Sequence, residues 1–159
     1  MKITCQNTSK TYEVPMGTTL QAFAQAHKEE ITDPSLGSGG ILAAIVDNKL
    51  KELEFRILEP HTIRFIGYGH PDGRRTYIRT LCFVLQNVVR EMFPDKVLAI
   101  DYSLPSGLYC ELREQKELED GRPDVYFVTD EQIEAIRQAM SDLIKRDLPI
   151  TKSKMTAEE

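Results

Sequence analysis

Three kinds of residue in this 159-residue chain have the chemistry for a site: its three histidines, its three cysteines and a knot of arginines. A histidine serves as a metal ligand or general base only when a second suitable group stands at the right spacing. His27, His61 and His70 lie at no metal-ligand spacing from one another or from a cysteine. His27 falls in a short helical stretch and His61 follows a proline in a turn. His70 sits in a glycine-rich connection and is the one placed to line a cleft between two parts of the chain. It reads either as a ligand-binding residue or as a solvated linker histidine. Cys5, Cys82 and Cys110 form no C-x-x-C pair, and an odd number leaves one over in any disulfide scheme. Reduced thiols packed in the core are therefore expected. Cys82 and Cys110 can approach one another if the helix carrying one packs on the strand carrying the other. Neither has the neighbouring base that a thiolate nucleophile needs.

Arg74, Arg75 and Arg79 gather where a long helical segment begins, and Arg75 and Arg79 share a face at i, i+4. Cations at a helix N-terminus oppose its dipole, so a bound phosphate or acidic partner is one explanation for them. Solvated charge, or pairing with the acidic stretch Glu114 to Asp120, is the other. Nucleotide phosphates have no P-loop to cradle them, since no G-x-x-x-x-G-K-[ST] occurs. Gly37-Ser38-Gly39-Gly40 runs into a strand, and so lacks the helix N-terminus that would bind an anion. No catalytic residue, metal site or cofactor is expected within the chain itself.

The composition limits the classes further. With 41% hydrophobic and 28% charged residues the chain is neither disordered nor membrane-like. It opens without a signal-peptide run and has no apolar stretch near ~18 residues, so a cytoplasmic protein without a membrane partner is expected. A net charge of −5 excludes the broad basic footprint of many nucleic-acid binders and leaves room for a local patch.

The elements that must position these residues follow from periodicity, and they predict an α+β fold. Ile3–Cys5 and Thr11–Val14 flank the polar turn Asn7-Thr8-Ser9-Lys10 as a hairpin. Leu20, Phe23, Ala24 and His27 mark a helix with Thr18 as its expected N-cap. Residues 34–40 read as a loop, Ile41–Val46 as a buried strand, 47–49 as a turn, and Thr62–Ile66 as a last strand. Gly67 to Gly73 carries three glycines and a proline and marks a boundary, giving units 1–67 and 74–159 joined by 68–73. The second unit opens on a helix with Ile78, Leu81, Cys82, Leu85, Val88, Val89 and Met92 in its apolar stripe, stopped by Pro94. Strands at Val97–Tyr102 and Leu108–Leu112 come next, then a charged hairpin tip at 113–122 and a strand at Val125–Val128. A capping box at Thr129-Asp130-Glu131-Gln132 opens a helix striped by Ile133, Ile136, Met140, Leu143 and Ile144. Ile150–Met155 alternates as a final strand. Thr156-Ala157-Glu158-Glu159 is a further capping box, an ending that reads as a cut from something longer.

The order hairpin, helix, strand, strand in residues 1–67 resembles the β-grasp, ubiquitin-like TGS domain of threonyl-tRNA synthetases, some GTPases and stringent-response enzymes. Val14-Pro15-Met16-Gly17-Thr18-Thr19-Leu20 and Ala44-Ile45-Val46-Asp47-Asn48-Lys49-Leu50 carry that resemblance. Residues 74–159 resemble the beginning of the synthetase's second additional, editing domain, through Phe93-Pro94, Ala99-Ile100 and Gly107-Leu108-Tyr109. That domain edits mischarged tRNA with an H-x-x-x-H pair on its long helix. Aligned on Pro94, the pair falls at Phe83 and Asn87, which cannot do the pair's chemistry. Asp72 to Phe83 and Leu108 to Leu112 resemble more closely a uridine kinase-type nucleoside kinase family of Bacteroidetes and related anaerobes. That likeness implies a non-catalytic regulatory or ligand-binding region, with a downstream P-loop kinase domain using ATP and Mg as its partner in the same polypeptide. Nucleotide or RNA is the implied ligand, with Arg74, Arg75, Arg79 and His70 as the residues to hold it. The alternative is a tRNA-binding or editing-like module of synthetase type that has lost its histidines.

Overall fold

Apolar residues alternating about a polar turn form the first hairpin, β1 (Lys2–Cys5) and β2 (Lys10–Glu13), with Ile3 and Cys5 turned inward and buried. The computed structural model describes residues 1–105, 107–117, 121–151 and 153, and the chain divides into two compact units, Met1–Thr80 and Leu81–Glu159.

In the first unit, α1 (Leu20–Ala26) places Leu20, Phe23 and Ala24 on its buried face. Its N-cap is Thr19 rather than the expected Thr18. The Thr19 hydroxyl accepts from the Ala22 N–H at 3.1 Å, while the Thr18 hydroxyl is turned back to the preceding loop, where it donates to the Pro15 carbonyl at 2.8 Å. A single 3-10 turn at Pro34–Leu36 stands within the stretch expected to be a loop, capped by the Asp33 carboxylate on the Ser35 N–H at 2.8 Å. β3 (Ala43–Val46) and β4 (Lys49–Lys51) pair across Asp47-Asn48, both at positive φ (45° and 66°), as a two-residue hairpin turn demands. β5 (Thr62–Ile66) completes a five-stranded sheet of order β2-β1-β5-β3-β4, in which β1 and β5 run parallel and the other neighbours antiparallel. Ile63, Phe65 and Ile66 of the central strand are fully buried, and Phe23 stacks on Phe65 at 6.0 Å between ring centroids. Each such side chain removed from water contributes about 1.5–3 kcal/mol. Asn7 ties the first hairpin to this centre. Its side-chain carbonyl accepts from the Phe65 N–H at 2.7 Å and its amide donates to the Phe65 carbonyl at 2.9 Å.

The long helix α2 (Pro71–Met92) begins three residues before the expected position, so residues 71–73 of the expected connection are helical. Pro71 suits the first helical position because its φ is preset and its missing N–H is not needed there. His70 stands before it and closes the helix start. The His70 carbonyl accepts from the Arg74 N–H at 2.9 Å, and its Nδ1 accepts from the Asp72 N–H at 3.2 Å. The division between the units falls inside α2, after Thr80.

The second unit holds a three-stranded antiparallel sheet of β6 (Lys96–Leu104), β7 (Gly107–Glu117) and β8 (Pro123–Tyr126), in that order. Residues 113–117, expected in the hairpin tip, belong to β7. Cross-strand charge favours this: Lys96 lies opposite Glu114 and bonds its carboxylate at 2.6 Å. β8 starts and ends two residues before its expected limits. Among the described residues of the second unit, Val88 and Val89 of α2 and Leu112 of β7 are the buried ones. α3 (Asp130–Lys145) opens on the expected capping box: the Thr129 hydroxyl accepts from the Gln132 N–H, and the Gln132 side chain accepts from the Thr129 N–H at 2.9 Å. Its stripe has the expected period, yet none of its residues is buried, and Ile133 and Ile144 are each 53% exposed. Of the expected final strand, Ile150, Thr151 and Ser153 are not in a strand and the rest lies outside the described residues, as does the capping box at 156–159. Among the described residues no helix is long and apolar enough to cross a membrane.

Candidate nucleic-acid interface

Gly67 and Gly73 set the geometry of the arginine cluster. A Cβ built on Gly73 would overlap the Gly67 carbonyl, and a Cβ on Gly67 would overlap the carbonyls of Leu36 and Gly40. The first turn of α2 therefore lies directly on the backbone of the segment after β5. This close approach brings Tyr68, Arg74 and Tyr77 together. The Arg74 guanidinium lies over the Tyr68 ring, 5.4 Å from its centroid, and the Tyr77 ring meets Tyr68 edge-on at 5.2 Å. Tyr68 is 43% and Tyr77 42% exposed, so both rings are half open to water. The Tyr68 N–H donates to the Leu36 carbonyl at 3.3 Å, which anchors the loop under the ring.

The arginines do not crowd the helix end as the sequence suggested. Because α2 starts at Pro71, Arg75 and Arg79 lie beyond its first turn, where the dipole's opposition has largely faded. The first turn instead carries Asp72, which forms an ion pair with Arg75. Glu114, at the start of the acidic stretch, is itself bonded by Lys96. Arg74 is engaged by Tyr68, and Arg79 has no ion-pair partner among the described residues. All three are exposed. Arg74 and the two phenol rings thus share one surface of the first unit, and Arg75 and Arg79 lie further round the same helix. Tyr68 and Tyr77 were missed by sequence reasoning, although the aromatic residues flanking Arg74 and Arg75 are a visible signal.

The histidines are occupied locally. His70 uses Nδ1 to cap α2. His27 Nδ1 lies 3.2 Å from Glu30, whose carboxyl is lowered to about 2 by hydrogen bonds from Lys10, then His27 and Tyr12. His61 Nδ1 bonds Asp47 at 2.5 Å, and Asp47 also accepts from the Thr62 N–H at 2.9 Å, which holds its carboxyl below the usual range. No group of three His, Cys, Asp or Glu side chains able to hold a metal ion occurs among the described residues.

Phe83 and Asn87 lie one helical turn apart on α2. Phe83 is 59% exposed, and Asn87 donates to Glu91 at 3.4 Å. Neither side chain can hold or move a proton in the manner of an imidazole pair. Of the cysteines, Cys5 is buried as expected, but Cys82 is only partly buried and Cys110 is exposed. Cys110 shares a strand face with buried Leu112, and the apolar cover ends before it reaches Cys110, whose partner Ile100 is exposed too. Desolvation of its sulfur pushes the Cys110 thiol up, with Cys82 and Asp101 adding to the effect, so it is a poor nucleophile.

No family model matches the chain. Curated relatives are threonine–tRNA ligases. That of Desulforamulus reducens is 25% identical over 159 residues, covering 100% of this chain and 22% of the relative. That of Chlamydia caviae is 22% identical over the same length and shares. That of Symbiobacterium thermophilum is 26% identical over 148 residues, 92% of this chain and 20% of the relative. The chain spans about a fifth of the length of these relatives.

Proposed function

We propose that this chain is a tRNA-binding module of threonyl-tRNA synthetase type that has lost the residues of the editing reaction. The similarity to threonine–tRNA ligases along the whole chain carries this reading. The sheet order β2-β1-β5-β3-β4 with one helix supports a β-grasp, TGS-like unit over 1–67. A connection at 68–73 and an editing-like α+β unit over 74–159 belong to the same reading. Arg74, Arg75 and Arg79 contact RNA phosphates, and the chain works in the cytoplasm, where tRNA is. Phe83 and Asn87 in place of the histidines make it a binder rather than a hydrolase.

A nucleoside kinase parent, with a downstream ATP- and Mg-dependent domain, has less support. It rests on the segments 72–83 and 108–112 alone, whereas each relative named above is a threonine–tRNA ligase.

Two measurements on the 159-residue chain test the proposal. Fluorescence anisotropy with labelled tRNA should show binding that weakens roughly tenfold between 50 and 200 mM salt, as two or three phosphate contacts imply. Replacing all three arginines by alanine should remove most of that salt dependence; unchanged binding would refute the arginine assignment. Mischarged tRNA should survive incubation with the chain, and robust deacylation would show that another nucleophile or base does the editing.

A further inference from the structure

We propose that Tyr68, Arg74 and Tyr77 form a stacking platform for an unpaired base, so that the RNA segment taken at this surface is single-stranded. This rests on the tRNA-binding reading and names the part of the RNA that the site receives. A duplex offers its backbone and groove edges to a protein and keeps its base faces stacked inside. Planar side chains in the open therefore gain little from a duplex and much from an unstacked base. Here two half-exposed phenol rings meet at 5.2 Å and a guanidinium lies over one of them. Arg74 is itself exposed, and a base placed on its guanidinium opposite Tyr68 would continue the stack as ring, guanidinium, base. Arg79 stands one turn past Arg75, further round the same helix and without a carboxylate partner among the described residues, where it would meet a phosphate of the strand as it leaves the platform around α2.

The platform is also held in place before any ligand arrives. Tyr68 is anchored through its N–H to Leu36. Tyr77 and Arg74 ride on α2, whose first turn is fixed by the contact of Gly73 on Gly67. A preset stack loses little side-chain freedom on binding, which favours affinity.

The test compares a labelled single-stranded oligoribonucleotide with the blunt RNA duplex of the same sequence, and both with tRNA, on the full chain. The single strand should bind more tightly than the duplex. Tyr68→Leu and Tyr77→Leu should each weaken single-strand binding at least about fivefold with the salt slope unchanged. Tyr68→Phe keeps the ring and should bind as the parent does, which separates stacking from loss of fold. Arg79→Ala should weaken binding and lower the salt slope by about 0.7, the value of one single-strand phosphate contact. Equal affinity for duplex and single strand, or full affinity in both leucine variants, would overturn the platform. If tRNA still binds in that case, the proposed function survives without it. Failure of tRNA and both oligonucleotides to bind overturns both.

Discussion

The Cα of Gly73 on the first turn of α2 rests against the carbonyl of Gly67, with no room for a Cβ between them. The contact fixes the first turn of α2 against the segment after β5, and with it the position of Arg74 over Tyr68. Both partners are backbone atoms, so a side chain added here cannot be relieved by a rotamer change.

Gly73→Ala should accordingly lower stability by about 1–3 kcal/mol, the usual cost of overpacking. Gly39→Ala, where a Cβ meets nothing within 4 Å, should be close to neutral. Denaturant midpoints of the two variants beside the parent decide the matter. Equal midpoints would mean that the helix start can shift without penalty.

Asn7→Ala should destabilise the first unit by about 2 kcal/mol or more. It leaves both the N–H and the carbonyl of fully buried Phe65 without their side-chain partner, and each buried orphan costs about 1–3 kcal/mol. Asn7→Asp keeps the acceptor for the Phe65 N–H, but it loses the donor to the carbonyl and sets a second carboxylate against Asp33, to which the Asn7 amide donates at 3.1 Å. Its denaturant midpoint should therefore fall below the parent's as well, and an unchanged midpoint in either variant would contradict the assignment.

The acid limb of stability should depend on Glu30. Its folded-state carboxyl sits at about 2, below the ordinary carboxylate value, because Lys10, His27 and Tyr12 hydrogen-bond to it. A depressed pKa gives stability that is present above about pH 4.3 and lost as pH falls toward 2. Glu30→Gln should flatten the stability profile across that window and leave its shape above pH 6 unaltered. A variant with the same acid slope as the parent would place the effect elsewhere.

Thiol titration should find Cys5 silent until the chain unfolds and Cys110 reactive in the native state. Cys5 is fully buried and Cys110 exposed. The raised Cys110 thiol should react more slowly than a free cysteine at pH 7.5. Cys110→Ala should abolish the corresponding phase; rapid modification of Cys5 would contradict the packing of β1.

Loss of the Thr129 cap should cost about 1 kcal/mol. Thr129→Ala removes the acceptor for the Gln132 N–H, whereas Thr129→Ser retains it. Helicity by circular dichroism and the unfolding midpoint should fall for the first variant and hold for the second.

Much of this was legible in the order of residues. β5 was placed to the residue at Thr62–Ile66, and the Thr129 capping box was read directly from T-x-x-Q. Such features rest on chemistry between near neighbours, which spacing alone records. The cap of α1 was misplaced by one residue because Thr18 and Thr19 are equally able to cap, and only the Pro15 carbonyl decides between them. The arginines were legible as a cluster, but not their company. Asp72 pairs with Arg75 within the helix, while Tyr68 reaches Arg74 from the preceding loop.

The sequence by itself determined α1, α2 and α3, most of the strands and their order, and the mixed α and β character, since periodicity and side-chain identity are local properties. It did not show β4, whose Lys49 it gave to a turn, and it expected a strand at Ile150–Met155 of which Ile150, Thr151 and Ser153 are not in a strand. What covers an apolar face is not local. The stripe of α3 and the strand face of Cys110 have the period of buried surfaces, yet Ile133 and Ile144 of the first and Cys110 of the second are exposed. Only the tertiary structure decided that two glycines touch and thereby assemble Tyr68, Arg74 and Tyr77 into one surface. That contact depends on which backbones can approach, and missing Cβ atoms reveal it only once the chain is folded.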